Sequence, residues 1–143
     1  MTYFFSDLIR SRCQPVLEGA GPFDIAVNQA TQILEYTLRK RAQHTGKETG
    51  HGLVSAVLNG DPQKARLIIS GDASEQEGFA NLCRGIMQYY RNPTHHDIRH
   101  ISQSQAEAVC AMIDHLVSKI ESSHTDDEAK AILELFEGVE SPT

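Results

Sequence analysis

The stretch Tyr89-Tyr90-Arg91-Asn92-Pro93-Thr94-His95-His96 concentrates most of the chemistry this chain carries. From Arg91 onward it holds a permanent cation, a side-chain amide and two imidazoles within six residues. A guanidinium stays charged at any working pH and offers a planar fork of donors, whereas an imidazole exchanges protons near neutrality. Such a set suits a phosphodiester: one group holds the anion and another moves a proton. Pro93 has no backbone N–H and disfavours the helical conformation at Asn92, so the stretch is expected to form a corner.

Helices must frame that corner. Ahead of it, Phe79, Leu82, Cys83, Ile86 and Tyr90 recur at helical spacing, with Arg84, Gln88 and Arg91 on the opposite face. Ser74-Glu75-Gln76-Glu77 has the Ser-x-x-Glu form of a capping box and is expected to open this helix. Behind the corner, Ser104-Gln105-Ala106-Glu107 repeats the pattern before a stripe of Val109, Met112, Ile113, Leu116, Val117 and Ile120. Upstream, residues 3–18 read as a short first helix, and Glu18-Gly19-Ala20-Gly21-Pro22 as a turn. A long helix is expected from about Phe23 to Gln43, with Val27, Ala30, Ile33, Leu34, Leu38 and Ala42 inward. His44 to Gly52 reads as a polar loop and Leu53 to Leu58 as a short helix. Ala65 to Ile69 reads as a strand by its β-branching or as one more helical turn by context, and is expected to be helical or irregular because no second strand is evident to pair with it. The predicted fold is all-α, an up-and-down bundle of about four main helices with short extra helices, over residues 1–123. Residues 124–143 form an acidic C-terminal helix or tail in which Ala131, Ile132, Leu135 and Phe136 make an apolar stripe.

The chain has 143 residues, 40% of them apolar, which fits one domain with a real core. No apolar run approaches the roughly 20 residues that span a membrane, and the first residues lack the marks of a signal peptide. Cys13, Cys83 and Cys110 have no CxxC spacing and read as free thiols, Cys83 and Cys110 on buried faces. A cytoplasmic protein is expected. The net charge of −6 argues against a broadly basic nucleic-acid coat. Six acids between His124 and Thr143, against Lys130 alone, account for most of it, so a focused basic site is compatible with the first 123 residues.

With the corner and its two helices in place, the residues resemble the HEPN superfamily of small helical bundles, marked by Arg-x(4–6)-His with a polar residue after the arginine. Arg91, Asn92 and His96 match that pattern. A nearer likeness is to the uncharacterised bacterial Ymh branch, through Glu77-Gly78-Phe79, Gly85-Ile86-Met87 and Arg91-Asn92-Pro93-Thr94-His95-His96. Ala26-Val27, Ala30, Leu34-Glu35 and Arg39 are similar to that branch's second helix. The resemblance runs from roughly Leu8 to Glu121. It implies a metal-independent endoribonuclease needing no cofactor, acting as a homodimer in which two Arg/His corners face one another. It further implies a toxin or antiphage-defence effector, with an antitoxin or another defence-system subunit as a candidate partner. Some HEPN proteins instead serve as non-catalytic binding or regulatory subunits.

In the enzymatic reading, a histidine takes the proton of an RNA 2′-hydroxyl or gives one to the leaving 5′-oxygen, while arginine holds the phosphate. The products are a 2′,3′-cyclic phosphate and a 5′-hydroxyl. Arg91 and His96 are the candidate catalytic residues, and Asn92 orients them. His95 and Glu35 are supporting candidates, Glu35 by approaching Arg91 across the bundle, and Arg39 has similar standing. Arg84, Arg99 and His100 are candidate RNA contacts. Plainer readings stand beside these. Arg91 caps its helix's carbonyls, His96 is a solvated loop residue, and Glu35, Arg84, Arg99 and His100 are surface charges. Tyr89 and Tyr90 are stacking candidates, Tyr90 more naturally a core residue. His95, His96 and His100 lack a further ligand of fitting spacing, so no metal site is expected.

Overall fold

Helix α2, Asp24–Ala42, is the member against which the others pack. Its buried side chains, among them Val27, Ala30, Ile33, Leu34 and Leu38, fall at the inward positions expected from their spacing. Helix α1 (Asp7–Leu17) and helix α5 (Gln103–Glu121) cover one side of it. Helix α3 (Gly50–Val57) and helix α4 (Ala73–Tyr90) pack on each other and on α2. The computed structural model describes residues 4–91 and 100–139. Its architecture is an all-α bundle with short additions, in which α6 (Asp126–Val139) is the last helix. Among the described residues no helix is long and apolar enough to cross a membrane.

One element departs from the all-helical expectation. Leu67–Ile68 form a two-residue strand, β1, paired antiparallel with His124–Thr125, β2, in the register Leu67 with Thr125 and Ile68 with His124. The partner strand lies 57 residues further on, counting from Leu67 to His124, where no β-rich run announces it. Pairing here satisfies backbone groups beside Leu67, which is fully buried. Gln76 reinforces the join from the first turns of α4. Its Oε1 accepts from the N–H groups of Ile69 (2.9 Å) and Ser70 (3.2 Å), and its Nε2 donates to the carbonyls of Leu67 (3.0 Å) and Asn59 (3.2 Å).

Both major helix starts lie two residues earlier than the sequence patterns indicate. Asp72, not Ser74, caps α4, its carboxylate accepting from Glu75 N–H at 2.9 Å. Ser102, not Ser104, opens α5 through a reciprocal box with Gln105. In each case an earlier residue of capping type catches the chain first, and an aspartate also complements the positive end of the helix. Two residues assigned to core stripes, Leu82 and Met112, are exposed. They flank the buried rows set by Phe79, Cys83, Ile86 and Met87 on α4 and by Val109, Ile113, Leu116 and Val117 on α5. Cys13, Cys83 and Cys110 are all buried free thiols, and burial pushes Cys83 up to about 12.

The acidic segment is tied down at its beginning. Arg41 of α2 grips Glu128 through both carboxylate oxygens at 2.9 Å and also donates to the Ser123 carbonyl. Arg66 pairs with Asp126, and with Asp127 at 3.3 Å, while its Nε donates to the Ala42 carbonyl at 2.9 Å. Farther along α6, Ile132 and Leu135 are exposed, Leu135 to 70%.

Candidate functional site

Arg91 stands at the C-terminal end of α4, its N–H bonded to the Met87 carbonyl at 3.1 Å. The side chain does not simply crown its own helix. It crosses to α2, where its Nε lies 3.6 Å from Glu35 Oε1. Glu35 is 14% exposed and Arg91 31%, so the pair sits in a partly dry setting where its attraction is less screened than on an open surface. The Nε itself is fully buried and, among the described residues, has no hydrogen-bond acceptor. A buried, unpaired donor of this kind carries a desolvation cost that an acceptor brought close would relieve.

Glu35 serves a second element. Its Oε1 accepts from Gly50 N–H at 2.7 Å, which fixes the start of α3 against the middle of α2. Gly50 has φ +54°, a left-handed conformation that glycine adopts without the strain a Cβ would bring. The loop leading to it is strapped to α2 by Arg39, one turn beyond Glu35. Arg39 Nη1 donates to the Gly46 carbonyl at 2.7 Å, and its Nη2 donates to the Glu48 carbonyl. His44 and Glu48 pair across the same loop at 2.6 Å, and that bond holds the Glu48 carboxyl below its ordinary range.

These contacts shape a cleft of about 410 Å³ between α2, α3 and α4. Glu35, Thr49, Gly50, His51, Gly52, Met87, Gln88 and Arg91 line it. It joins a permanent cation, a carboxylate already committed to two partners, an amide, a hydroxyl and an imidazole. A phosphate-sized anion entering it would meet Arg91 as the fixed positive charge.

The structure therefore brings Arg91 and Glu35 together and leaves other candidates elsewhere. Arg84 is half-buried, bonded to Asn81 at 2.6 Å, and does not line the cleft. His100 lines a different recess, of about 460 Å³, with Phe23, Ile101 and Gln105. Arg39 secures the loop and is not part of the cleft wall. Tyr90 is half-buried against the core, and Tyr89 meets it edge-on at 4.7 Å between ring centroids. Asn92, His95, His96 and Arg99 lie outside the described residues. Among the described residues no cluster of three metal-ligating side chains occurs.

The Thr49-Gly50-His51-Gly52 wall lies where the sequence, from His44 to Gly52, reads as a polar loop. A signal was available: Thr49 is a residue of capping type, and Leu53, Val54 and Val57 project a helical period back to it.

No curated protein and no solved structure matches the chain. Residues 5–120, from the approach to α1 through nearly all of α5, match the sequence profile of a family described as a protein of unknown function, Hypoth_ymh. That span includes Glu35, the α3 wall and the whole of the Arg91 to His96 motif, and the chain belongs to this Hypoth_ymh family.

Proposed function

We propose that the protein is a metal-independent endoribonuclease of the HEPN type, cleaving RNA by attack of a 2′-oxygen on the adjacent phosphate. The observation that carries this reading is the setting of Arg91. Its guanidinium stands in a cleft, braced by Glu35, with a buried Nε that has no acceptor among the described residues, at the head of the Arg-Asn-Pro-Thr-His-His sequence. In this scheme Arg91 holds the phosphate and stabilises charge developing on its oxygens. His96 exchanges a proton with the reacting oxygens, and Asn92 orients the pair. A homodimer with two facing corners, and a role as a toxin or antiphage-defence effector, complete the proposal.

A second reading, a binding or regulatory subunit without catalysis, draws support from α6. That helix is clamped at its base by two arginines and carries exposed Ile132 and Leu135 beyond the clamp, a face suited to docking. The deciding experiment is cleavage of end-labelled RNA in EDTA by the wild type, Arg91→Ala and His96→Ala, with mapping of the new termini. Cyclic-phosphate ends from the wild type, lost in both folded variants, are expected. Full activity in His96→Ala would overturn the mechanism, and an inert wild type would favour the binding reading.

A further inference from the structure

Helix α4 turns one face away from the core, and that face has a pattern of its own. Gly78, Leu82, Gly85 and Tyr89 line it, all exposed, Leu82 to 55% and Tyr89 to 61%. The two glycines are seven residues apart, as are Leu82 and Tyr89, so small and large positions alternate at the spacing of a two-helix seam. We propose that a second copy of this chain seats on that face, its α4 lying parallel to this one about a two-fold axis. The inference rests on the homodimer of the reading above and gives that dimer its contact.

Glycine in a helix interior costs stability relative to alanine, and a close neighbour usually explains it. Inside this chain Gly78 and Gly85 have no such neighbour, since a Cβ on either would meet no atom within 4 Å. Against another helix both have a use: they let the backbones approach and leave holes for larger side chains. In a parallel pair each Leu82 enters a hole bounded by the partner's Gly78, the partner's Leu82 and the partner's Gly85. Charge points to the same occupant. From Gly78 to Tyr89 the one ionised side chain is Arg84, half-buried off the seam and bonded to Asn81 at 2.6 Å. The positions flanking the seam, Phe79, Asn81, Ile86 and Gln88, are all neutral. A two-fold axis sets residues near their own copies, so a charge in the seam would meet its like. A nucleic acid would call for cations along this face, and the seam has none.

The seam also bears on the cleft. Arg91 caps α4 two residues beyond Tyr89, so parallel helices bring both Arg91 clefts to the same end of the pair. Antiparallel helices would set them at opposite ends. Corners that face one another need the first arrangement.

The test is sedimentation equilibrium of the full chain as wild type, Leu82→Glu and Gly85→Glu. Glutamate is a good helix former and both positions are exposed, so the fold should persist, with circular dichroism as the check. The wild type is expected to be a dimer. In each variant like charges meet across the axis, and the dissociation constant should rise at least about 100-fold. In parallel, air oxidation of Leu82→Cys should link two chains, because the axis puts that position beside its own copy. Glu77→Cys, off the seam beside Gly60, should not link, and the native thiols are buried and do not compete. A wild type that stays monomeric up to about 100 μM overturns the proposal. So does a dimer that survives both glutamate variants, or one that links through position 77 and not through position 82. Cleavage of labelled RNA by the same samples separates the two readings. A monomeric wild type that cuts RNA removes the seam alone, and a seam dimer that cuts none removes the ribonuclease alone.

Discussion

Removing the Glu35 carboxylate gives a direct reading of how the cleft is held. At 3.6 Å, with an effective dielectric of about 20, the Arg91 pair has a gross attraction of roughly 4–5 kcal/mol. Desolvation of both groups and the partial exposure of Arg91 reduce the net to about 1–2 kcal/mol. Glu35 also accepts from Gly50 N–H at 2.7 Å. Orphaning that donor in a partly buried position adds about 1 kcal/mol. Glu35→Ala should therefore destabilise the protein by roughly 2–3 kcal/mol. Glu35→Gln keeps a carbonyl acceptor for Gly50 and loses only the charge, so about 1–2 kcal/mol is expected. With a urea m-value of about 2 kcal/mol/M, these correspond to midpoint shifts of about 1–1.5 M and 0.5–1 M. Far-ultraviolet circular dichroism across a urea series measures both. A Glu35→Ala midpoint within about 0.2 M of wild type would refute the idea that this carboxylate joins α2, α3 and α4. Equal effects of the two variants would refute the separate weight given to the charge.

Gln76 is fully buried and makes four hydrogen bonds to backbone groups of Asn59, Leu67, Ile69 and Ser70. Gln76→Ala leaves those groups unpaired, and a loss of at least about 3 kcal/mol is expected by urea denaturation; a change under 1 kcal/mol would contradict that account. The hydrogen bonds and charge of Arg41 hold the Glu128 carboxyl down at about 2, well below its ordinary range. Since the folded value is depressed, the clamp's contribution is fully present above the unfolded pKa near 4.3 and fades as the pH falls towards 2. Protection in the first turns of α6, read as hydrogen exchange relative to the intrinsic rate at each pH, should fall across that window in the wild type, and Glu128→Gln should reduce that fall, leaving the part carried by Asp126 on Arg66.

The helices were legible because each has its own periodic signal: Val27, Ala30, Ile33, Leu34 and Leu38 announce α2 without reference to anything else. What stayed hidden depends on partners distant in sequence. The β-branched Ile68-Ile69 offers a strand signal, but its partner His124–Thr125 offers none, and only the fold brings the two together. Gln76 looks like an ordinary polar helix residue until four backbone groups surround it. The same holds within the site. The Arg91 motif is local and visible, and Glu35 could be named from its helix. The opposing wall is invisible because a left-handed Gly50 starts its helix where the composition reads as loop.

The double engagement of α2 also sets how the cleft can deform. Glu35 and Arg39 are one helical turn apart and both hold the segment that supplies Thr49 to Gly52. The α3 side is thus tied to α2 by hydrogen bonds as well as packed on α4. Arg91 lies on the other side, at the C-terminal cap of α4, and approaches Glu35 of α2 at 3.6 Å. Among the described residues, then, hydrogen bonds hold the α3 side of the cleft while charge alone draws Arg91 to Glu35, so added salt weakens the second tie and spares the first.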